Sequence, residues 1–503
     1  MNPGLEPVDP LHTFDEVFTS RRRTTRPAID DPRLDFIDNA LRFCAEHRGD
    51  WAFRYLRRVM RASEEDFTHV MGGIFCDSLP QCPGGTINEA IPRSLLKLLL
   101  LPLFYVLKKT YFWRAEVPVL FDLEVIDQPY FDRWFRKIYE TLPGPKHVTS
   151  AGPATFEGVA STSPISSTVT LRSLLWLILA PLWALPLWRL SRRYDQNILF
   201  AYRKAMSMYA LFEGHFRRYP CRHFVSYCDD TNPPGRYLAF RQNCAGELVV
   251  VQNGIRLHHP WAAFGITDTY LSFGPFMSRL APELKMRVGR IIPIGALYLD
   301  GQYPLIERLS RAPEPPLYDI LLIDQCLWPY NDLDQRTAST FEKVFKNLNE
   351  YKTRHPAARI ACQLRNYTSS PDRKDYVLNV MRRHFVEPIE ILENSGRGES
   401  YTAVSRSRMA MTLHSTLGLE AFYFGKGKKT LFANCGGDPF SIASLDPRFQ
   451  LYDESADYDR FDRAVTSLLE LGVDEVPEEF REQLMPPDGK VAQRIAEFLA
   501  TLN

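Results

Sequence analysis

Apolar residues recur at helical spacing through LDFIDNALRFCAEHRGDWAFRYLRRVM, so residues 1–90 read as a charged, helical region. The pattern then runs into two nearly uninterrupted apolar stretches, LLKLLLLPLFYVL (Leu95–Leu107) and LRSLLWLILAPLWALPLWRL (Leu171–Leu190). Between them VPVLFDLEVI (Val117–Ile126) predicts a strand, and AGPATFEGVASTSPISSTVT, rich in Ser, Thr, Gly and Pro, predicts an exposed loop. After Arg193 short apolar runs alternate with helical ones: HFVSYC (223–228), ELVVVQN (247–253), DTYLSFG (268–274) and RIIPIGA (290–296). Runs of this kind, apolar on both faces and each followed by a turn, predict parallel strands covered by helices.

A proline-rich break, RLSRAPEPP (Arg308–Pro316), separates this unit from a cleaner alternation. The strands YDILLID, RIACQL, IEILE, MAMTLH and KTLFAN are interleaved with helices over Asp332–Tyr351, Asp375–His384, SYTAVSRS and Thr416–Phe424. Successive βα units predict a doubly wound sheet. The chain thus divides into a helical region (1–90), an apolar, membrane-associating insertion (91–193), a first α/β domain (194–310) and a second (317–503).

A formal net charge of +1 removes the electrostatic argument for a nucleic-acid partner. The nine cysteines form no CxxC pair and no zinc-type ladder, and read as buried thiols in a reducing compartment. MNPGLEPVDPLHTFDEVFTS has no basic start followed by an apolar run, so the expected location is cytoplasmic. The apolar segments modify that expectation. The first is too short to cross about 30 Å of hydrocarbon, and the second combines three tryptophans, two prolines and a basic exit at Arg189, Arg192 and Arg193. A peripheral or monotopic position at the inner membrane is expected, with packing inside the N-terminal domain and a pair of membrane spans as the competing readings.

The densest candidate chemistry is MTLHSTLGLEAFYFGK (Met411–Lys426). A strand ending at His414 followed by Ser415, Thr416 and Gly418 at a helix start gathers hydroxyls and backbone N–H groups where a phosphate could sit. Glu420, deeper in that helix, could accept hydrogen bonds from ribose hydroxyls. Helix capping by Ser415 or Thr416 is the alternative. Arg365, closing RIACQLRN, offers a bidentate fork for phosphate.

With SYTAVSRSRMAMTLH before it, STLGLEAFYFGKGKKTLFAN resembles the nucleotide-sugar-binding half of bacterial surface-polysaccharide glycosyltransferases of the GT-B type. Upstream, FVSYCDDTNPPGRYLAFRQ and VVVQNGIRLHHPWAAFGITDTYLSFG resemble the N-terminal half of the retaining β-Kdo transferases, which use CMP-Kdo in lipopolysaccharide and capsule synthesis. The shared features are Asp229-Asp230, Gln252-Asn253-Gly254 and Phe273-Gly274, each closing a strand. The resemblance spans residues 220–460 and implies a GT-B-like α/β fold, two Rossmann-like domains facing a cleft. The same resemblance makes Asp229 the nucleophile of a retaining transfer and Asp230 a supporting hydrogen-bonding group. The sugar carboxylate or acceptor would be held by Gln252, Asn253, Gly254 and Arg256, and the donor nucleotide by Arg365, His414, Ser415, Thr416, Gly418 and Glu420. The TNPPG that follows the acidic pair departs from the family pattern and leaves the choice between the two aspartates open. An N-cap and Asx turn explains the pair structurally, and a turn explains Asn253-Gly254.

No metal or other cofactor is expected, because CMP carries one phosphate and no Asp-x-Asp triplet closes a strand. Expected partners are a nucleotide-sugar donor, a glycan acceptor on a lipid carrier and the inner-membrane surface. Competing functions are an inverting, sialyltransferase-like enzyme, a CDP-glycerol-type transferase, and a non-catalytic scaffold of a polysaccharide assembly complex.

Overall fold

The computed structural model describes residues 35–78, 87–101, 119–122, 131–132, 135–142, 146–149, 157–162, 169–194, 196–227, 229, 234–259, 262–311, 315–325, 332–367, 371–396, 398–438 and 442–502. Asp230, the second half of the run Leu95–Leu107 and most of the predicted loop 151–170 lie outside them.

Helices α1 (Asp35–His47), α2 (Trp51–Val59), α3 (Glu64–Ser78) and α4 (Ile87–Leu99) open the chain. Strand β1 (Val119–Asp122), α5 (Arg136–Thr141), β2 (Lys146–Thr149) and β3 (Ser161–Thr162) follow. The second apolar run forms α6 (Leu171–Leu179), a 3-10 turn and α7 (Ala184–Arg193), before the long α8 (Ile198–Arg218). Then come β4 (His223–Ser226), α9 (Pro234–Asn243), β5 (Glu247–Val251), β6 (Ile266–Ser272), α10 (Met277–Glu283), β7 (Arg287–Pro293), α11 (Leu297–Asp300) and α12 (Tyr303–Arg311).

These strands make one seven-stranded sheet, order β3-β2-β1-β4-β5-β6-β7, every pairing parallel. The first domain therefore begins well before residue 194. Residues 119–162, expected within the insertion, supply three of its strands; the strand predicted at Val117–Ile126 is present as β1, and its pairing with β4 places it in the first sheet. Helices α1–α4 and α6–α9 share a core with one face of this sheet, built on Phe43, Phe53, Leu56, Tyr202, Phe216 and Phe224.

The second domain alternates β8 (Tyr318–Ile323), α13 (Asp332–Arg354), β9 (Ile360–Gln363), α14 (Pro371–His384), β10 (Glu390–Leu392), α15 (Glu399–Ser405), β11 (Ser407–Thr412), α16 (Thr416–Glu420) and β12 (Thr430–Asn434). It ends with β13 (Gln450–Tyr452), α17 (Tyr458–Glu470), α18 (Glu478–Gln483) and α19 (Val491–Thr501). Its sheet is also parallel, order β10-β9-β8-β11-β12-β13. The architecture is two Rossmann-like domains whose strand ends face each other.

The last helix departs from the expected boundary. In α19, Val491, Ile495 and Leu499 pack with Phe131, Phe135 and Ile138 on the other face of the first sheet. The first-domain carboxylate of Asp300 caps this helix, accepting from the N–H groups of Val491 (3.1 Å) and Ala492 (2.7 Å). An amphipathic pattern specifies a buried face and leaves open which sheet it covers, so the sequence places α19 in the wrong domain.

The return crossing is tight. Met485 N–H donates to Phe273 O (3.0 Å) and Phe276 N–H to Glu482 O (2.9 Å), and a Cβ on Gly274 would come within 2.2 Å of the Glu482 carbonyl oxygen. Gly274→Ala is expected to cost about 1–3 kcal/mol by prying these segments apart. A urea unfolding midpoint unchanged from the parent would contradict that.

Candidate active site between the domains

Each sheet reverses its strand order beside a strand that ends in the cleft: between β1 and β4 in the first, between β8 and β11 in the second. Open α/β sheets leave a crevice at such points, because the flanking helices diverge to opposite faces. Tyr227 and Asp229 follow β4, and Gln325 and His414 follow β8 and β11.

The cleft has two adjoining lobes. One, of about 430 Å³, is lined by Tyr227, Asn253, Tyr298, Tyr401 and Glu420 among others. The other, of about 490 Å³, is lined by Gly254, Arg256, Asp324, Gln325, Arg365, Asn394 and His414. Ser400, Ser415, Thr416 and Leu417 border both. Both fall within the size range of small-ligand sites. Two hydrogen bonds cross between the domains here, from Ile255 N–H to Thr416 Oγ1 (3.1 Å) and from the Tyr298 hydroxyl to Glu420 Oε1 (2.7 Å).

Asp229 does not face this space. Its carboxylate is fully buried and lines neither lobe. Arg256 grips it with both sides of its guanidinium, Nε donating to Oδ2 at 2.7 Å and an Nη to Oδ1. The Tyr270 hydroxyl and the Asn253 N–H (3.3 Å) also donate to it. A carboxylate accepting this many hydrogen bonds has few lone pairs left for attack on a sugar. The cleft residue of the pair is Arg256, which Asp229 fixes together with Asn253 Oδ1.

Gln252 is also buried and structural: its side chain accepts from Phe273 N–H and donates to Gly254 O, both at 2.7 Å, tying the end of β5 to the end of β6. Asn253 and Gly254 line the cleft. Of the residues predicted in the first domain, the structure therefore brings Asn253, Gly254 and Arg256 to the space and places Asp229 and Gln252 behind them.

In the second domain Arg365, His414, Ser415, Thr416 and Glu420 all border the cleft. Ser415 caps α16, its Oγ accepting from Leu417 N–H (3.3 Å). Since both this hydroxyl and that of Thr416 act as acceptors toward backbone, each keeps its proton for a ligand oxygen. Helix α16 is only five residues long and passes into a 3-10 turn, so its dipole is smaller than the sequence pattern implies. Gly418 does not touch the space; its role is packing, since a Cβ there would meet Thr412 at 2.8 Å and Phe432 at 3.0 Å.

Gln325, which the sequence reading missed, fixes this turn. Its Oε1 accepts from the Thr412 hydroxyl (2.6 Å) and from the N–H groups of Leu413 (3.1 Å) and His414 (2.7 Å). The imidazole of His414 is pushed down to about 4, first by desolvation and further by the Arg365 guanidinium, against the opposing pull of Asp438. It is neutral at neutral pH, and its buried Nδ1 has no hydrogen-bond partner among the described residues.

Glu420 is the other perturbed group. Burial raises its carboxyl from an ordinary 4.5 to about 7, opposed by hydrogen bonds from Tyr298 and Tyr401. Neither tyrosine was singled out from sequence; they lie in α11 and α15, and only the fold aims them at Glu420.

No family model matches the sequence, and no curated protein matches it. Solved structures with related folds include a Methanocaldococcus jannaschii UDP-GlcNAc 2-epimerase in complex with UDP-GlcNAc and UDP, at 11% identity and a TM-score of 0.44 over 77% of this chain and 100% of that one. Another is the Anabaena protein HepE in complex with UDP and glucose, at 11% identity and 0.41, over 77% and 100%. A third is the wall teichoic acid polymerase TagF, at 12% identity and 0.37, over 82% and 97%.

Proposed function

We propose that this protein is a glycosyltransferase that takes a sugar from a nucleotide-activated donor bound in the interdomain cleft, and that the donor sugar is acidic, with Kdo from CMP-Kdo as the specific candidate. The observation that carries this reading is the convergence of two guanidinium groups, Arg256 and Arg365, with the hydroxyls of Ser415 and Thr416 on one lobe of the cleft. Two guanidinium groups on one lobe, the charge of Arg256 being shared with Asp229, suit a donor with two anionic groups, a phosphodiester and a sugar carboxylate. Glu420, with Tyr298 and Tyr401, supplies the neighbouring lobe with an acceptor for ribose hydroxyls.

For the chemical step, Asp229 is assigned to anchoring Arg256 rather than to attack, since a nucleophile would first have to shed the guanidinium fork. The product configuration at the anomeric carbon decides whether transfer nonetheless retains stereochemistry. Acceptor identity is proposed only as a surface glycan on a lipid carrier.

The test is intact-mass and turnover measurement with CMP-Kdo, CDP-glycerol and UDP-sugars, with and without chelator. Turnover of CMP-Kdo that survives chelation supports the reading; turnover confined to CDP-glycerol or a UDP-sugar replaces the donor; binding of none of them removes the enzyme assignment in favour of a scaffold. A covalent sugar adduct lost in Asp229→Asn would restore Asp229 as nucleophile. Arg365→Ala is expected to weaken CMP-Kdo affinity by about tenfold to a hundredfold, the loss of a hydrogen bond to a charged group, as read by calorimetry.

A further inference from the structure

The apolar run 171–193 forms a continuous stretch of helix, 23 residues long, whose two faces are both apolar and have different fates. Ser173, Leu177, Ala180, Ala184, Leu187 and Ser191 are buried against the domain. Leu171, Leu175, Ile178, Leu182, Leu185 and Trp188, spaced by three or four residues, form an outward stripe, Leu171 at 78% and Leu182 at 67% exposure. Helix α4, packed beside α7, adds Leu96 and Leu99, and Leu100 follows at its end, all exposed. Contiguous apolar surface of this kind marks an interaction site.

We propose that this face docks in the plane of a bilayer that carries anionic phospholipid. Charge selects the occupant. From Gly158 to Tyr194 the chain has four arginines and no acidic residue, and from Ala90 to Ala115 it has five basic residues and none acidic. Among the described residues Arg93, Lys97, Arg189, Arg192 and Arg193 are exposed around the stripe. A second copy meeting this face through a two-fold axis would bring these like charges together, whereas anionic headgroups neutralise them. Trp188 next to Arg189 is the pairing expected where hydrocarbon meets headgroups.

Length alone permits a crossing, at about 35 Å for a helix rising about 1.5 Å per residue. The packing opposes it. Buried Glu213 of α8 accepts from Thr170 Oγ1 (3.0 Å), Arg172 (3.1 Å) and the Ser173 hydroxyl, and Tyr55 donates to Trp176 O. Leu199 N–H donates to Ser191 Oγ (3.2 Å) at the far end. A spanning helix would have to break all of these contacts and leave Glu213 with a buried, unpaired charge. The helix instead lies on the surface with its outer stripe in the acyl boundary.

The test is flotation of the full-length protein with phosphatidylcholine vesicles, with and without phosphatidylglycerol. The parent is expected to bind the anionic vesicles, less so as salt is raised, and Leu182→Glu/Leu185→Glu to reduce the bound fraction by at least about tenfold at unchanged thermal midpoint. Arg189→Glu/Arg192→Glu/Arg193→Glu is expected to erase the preference for phosphatidylglycerol. Equal binding by the parent and the leucine variant overturns the proposal, as does a lipid-free dimer that the leucine variant dissociates. Carbonate-resistant insertion with one flank protected from protease would replace docking by spanning. None of these outcomes bears on the cleft chemistry, which is read separately by donor turnover.

Discussion

Arg256→Met should destabilise the first domain by about 3–5 kcal/mol, and adding Asp229→Asn should restore a large part of that loss. The single substitution takes the guanidinium fork away from the Asp229 carboxylate, whose side chain has no solvent exposure, and leaves it neutral donors such as the Tyr270 hydroxyl and the Asn253 N–H. An uncompensated buried charge is the costly element, more than the bond that was lost. Converting that charge to an amide removes the penalty, so the double variant should be more stable than Arg256→Met alone. Urea unfolding of the four proteins forms a double-mutant cycle, and a coupling energy near zero would refute the anchoring role given to Asp229. Both Arg256 variants should also bind the donor weakly, since the guanidinium is the part of the pair that lines the cleft. Asp229→Asn alone separates the two readings of the aspartate. As an anchor, its replacement loosens Arg256 and weakens donor binding; as a nucleophile, it would leave binding intact and abolish turnover.

The elements most readable from sequence were those with strong periodic patterns between clear turns. Strands β4 to β12 fall where the apolar runs predict them, because the central strands, buried on both faces, must be apolar throughout. The run VPVLFDLEVI likewise contains β1, whereas β2 (KHVT) and β3 (ST) are too short and too polar for the pattern to show. Position at a strand end was also legible, and it brought Asn253, Gly254, Arg256, Arg365 and the 414–420 turn to one cleft. Direction was not. Whether Asp229 points into the cleft or back toward β6 depends on the register of β4 and β5, which aligns Ser226 with Val250 and carries Arg256 round to meet it. Sequence separation conceals this partner 27 positions away, as it conceals Tyr298, 122 positions from Glu420.

That last contact gives the protein a pH dependence whose sign can be worked out. Glu420 is protonated in the folded protein below about 7, whereas in the unfolded chain it ionises near 4.5. Its protonated form therefore contributes stability that is fully present below 4.5 and is lost as pH rises through about 7. At about 1.4 kcal/mol for each pH unit between those values, the ceiling on that loss is about 3 kcal/mol. Glu420→Gln, which keeps the shape and stays neutral, should match the parent in stability near pH 4 and exceed it by up to that amount at pH 8. Donor affinity should move the other way in the parent. An ionised carboxylate accepts from both ribose hydroxyls, while the protonated acid spends one oxygen as a donor, so CMP binding should strengthen as pH rises through 7. In Glu420→Gln that slope should flatten, at an affinity about tenfold or more below the parent at pH 8. Thermal midpoints and CMP calorimetry between pH 5 and pH 8.5 measure both effects on the same two proteins. A variant with the stability gain and an unaltered binding profile would leave Glu420 a buried acid of the fold and remove it from the nucleotide site.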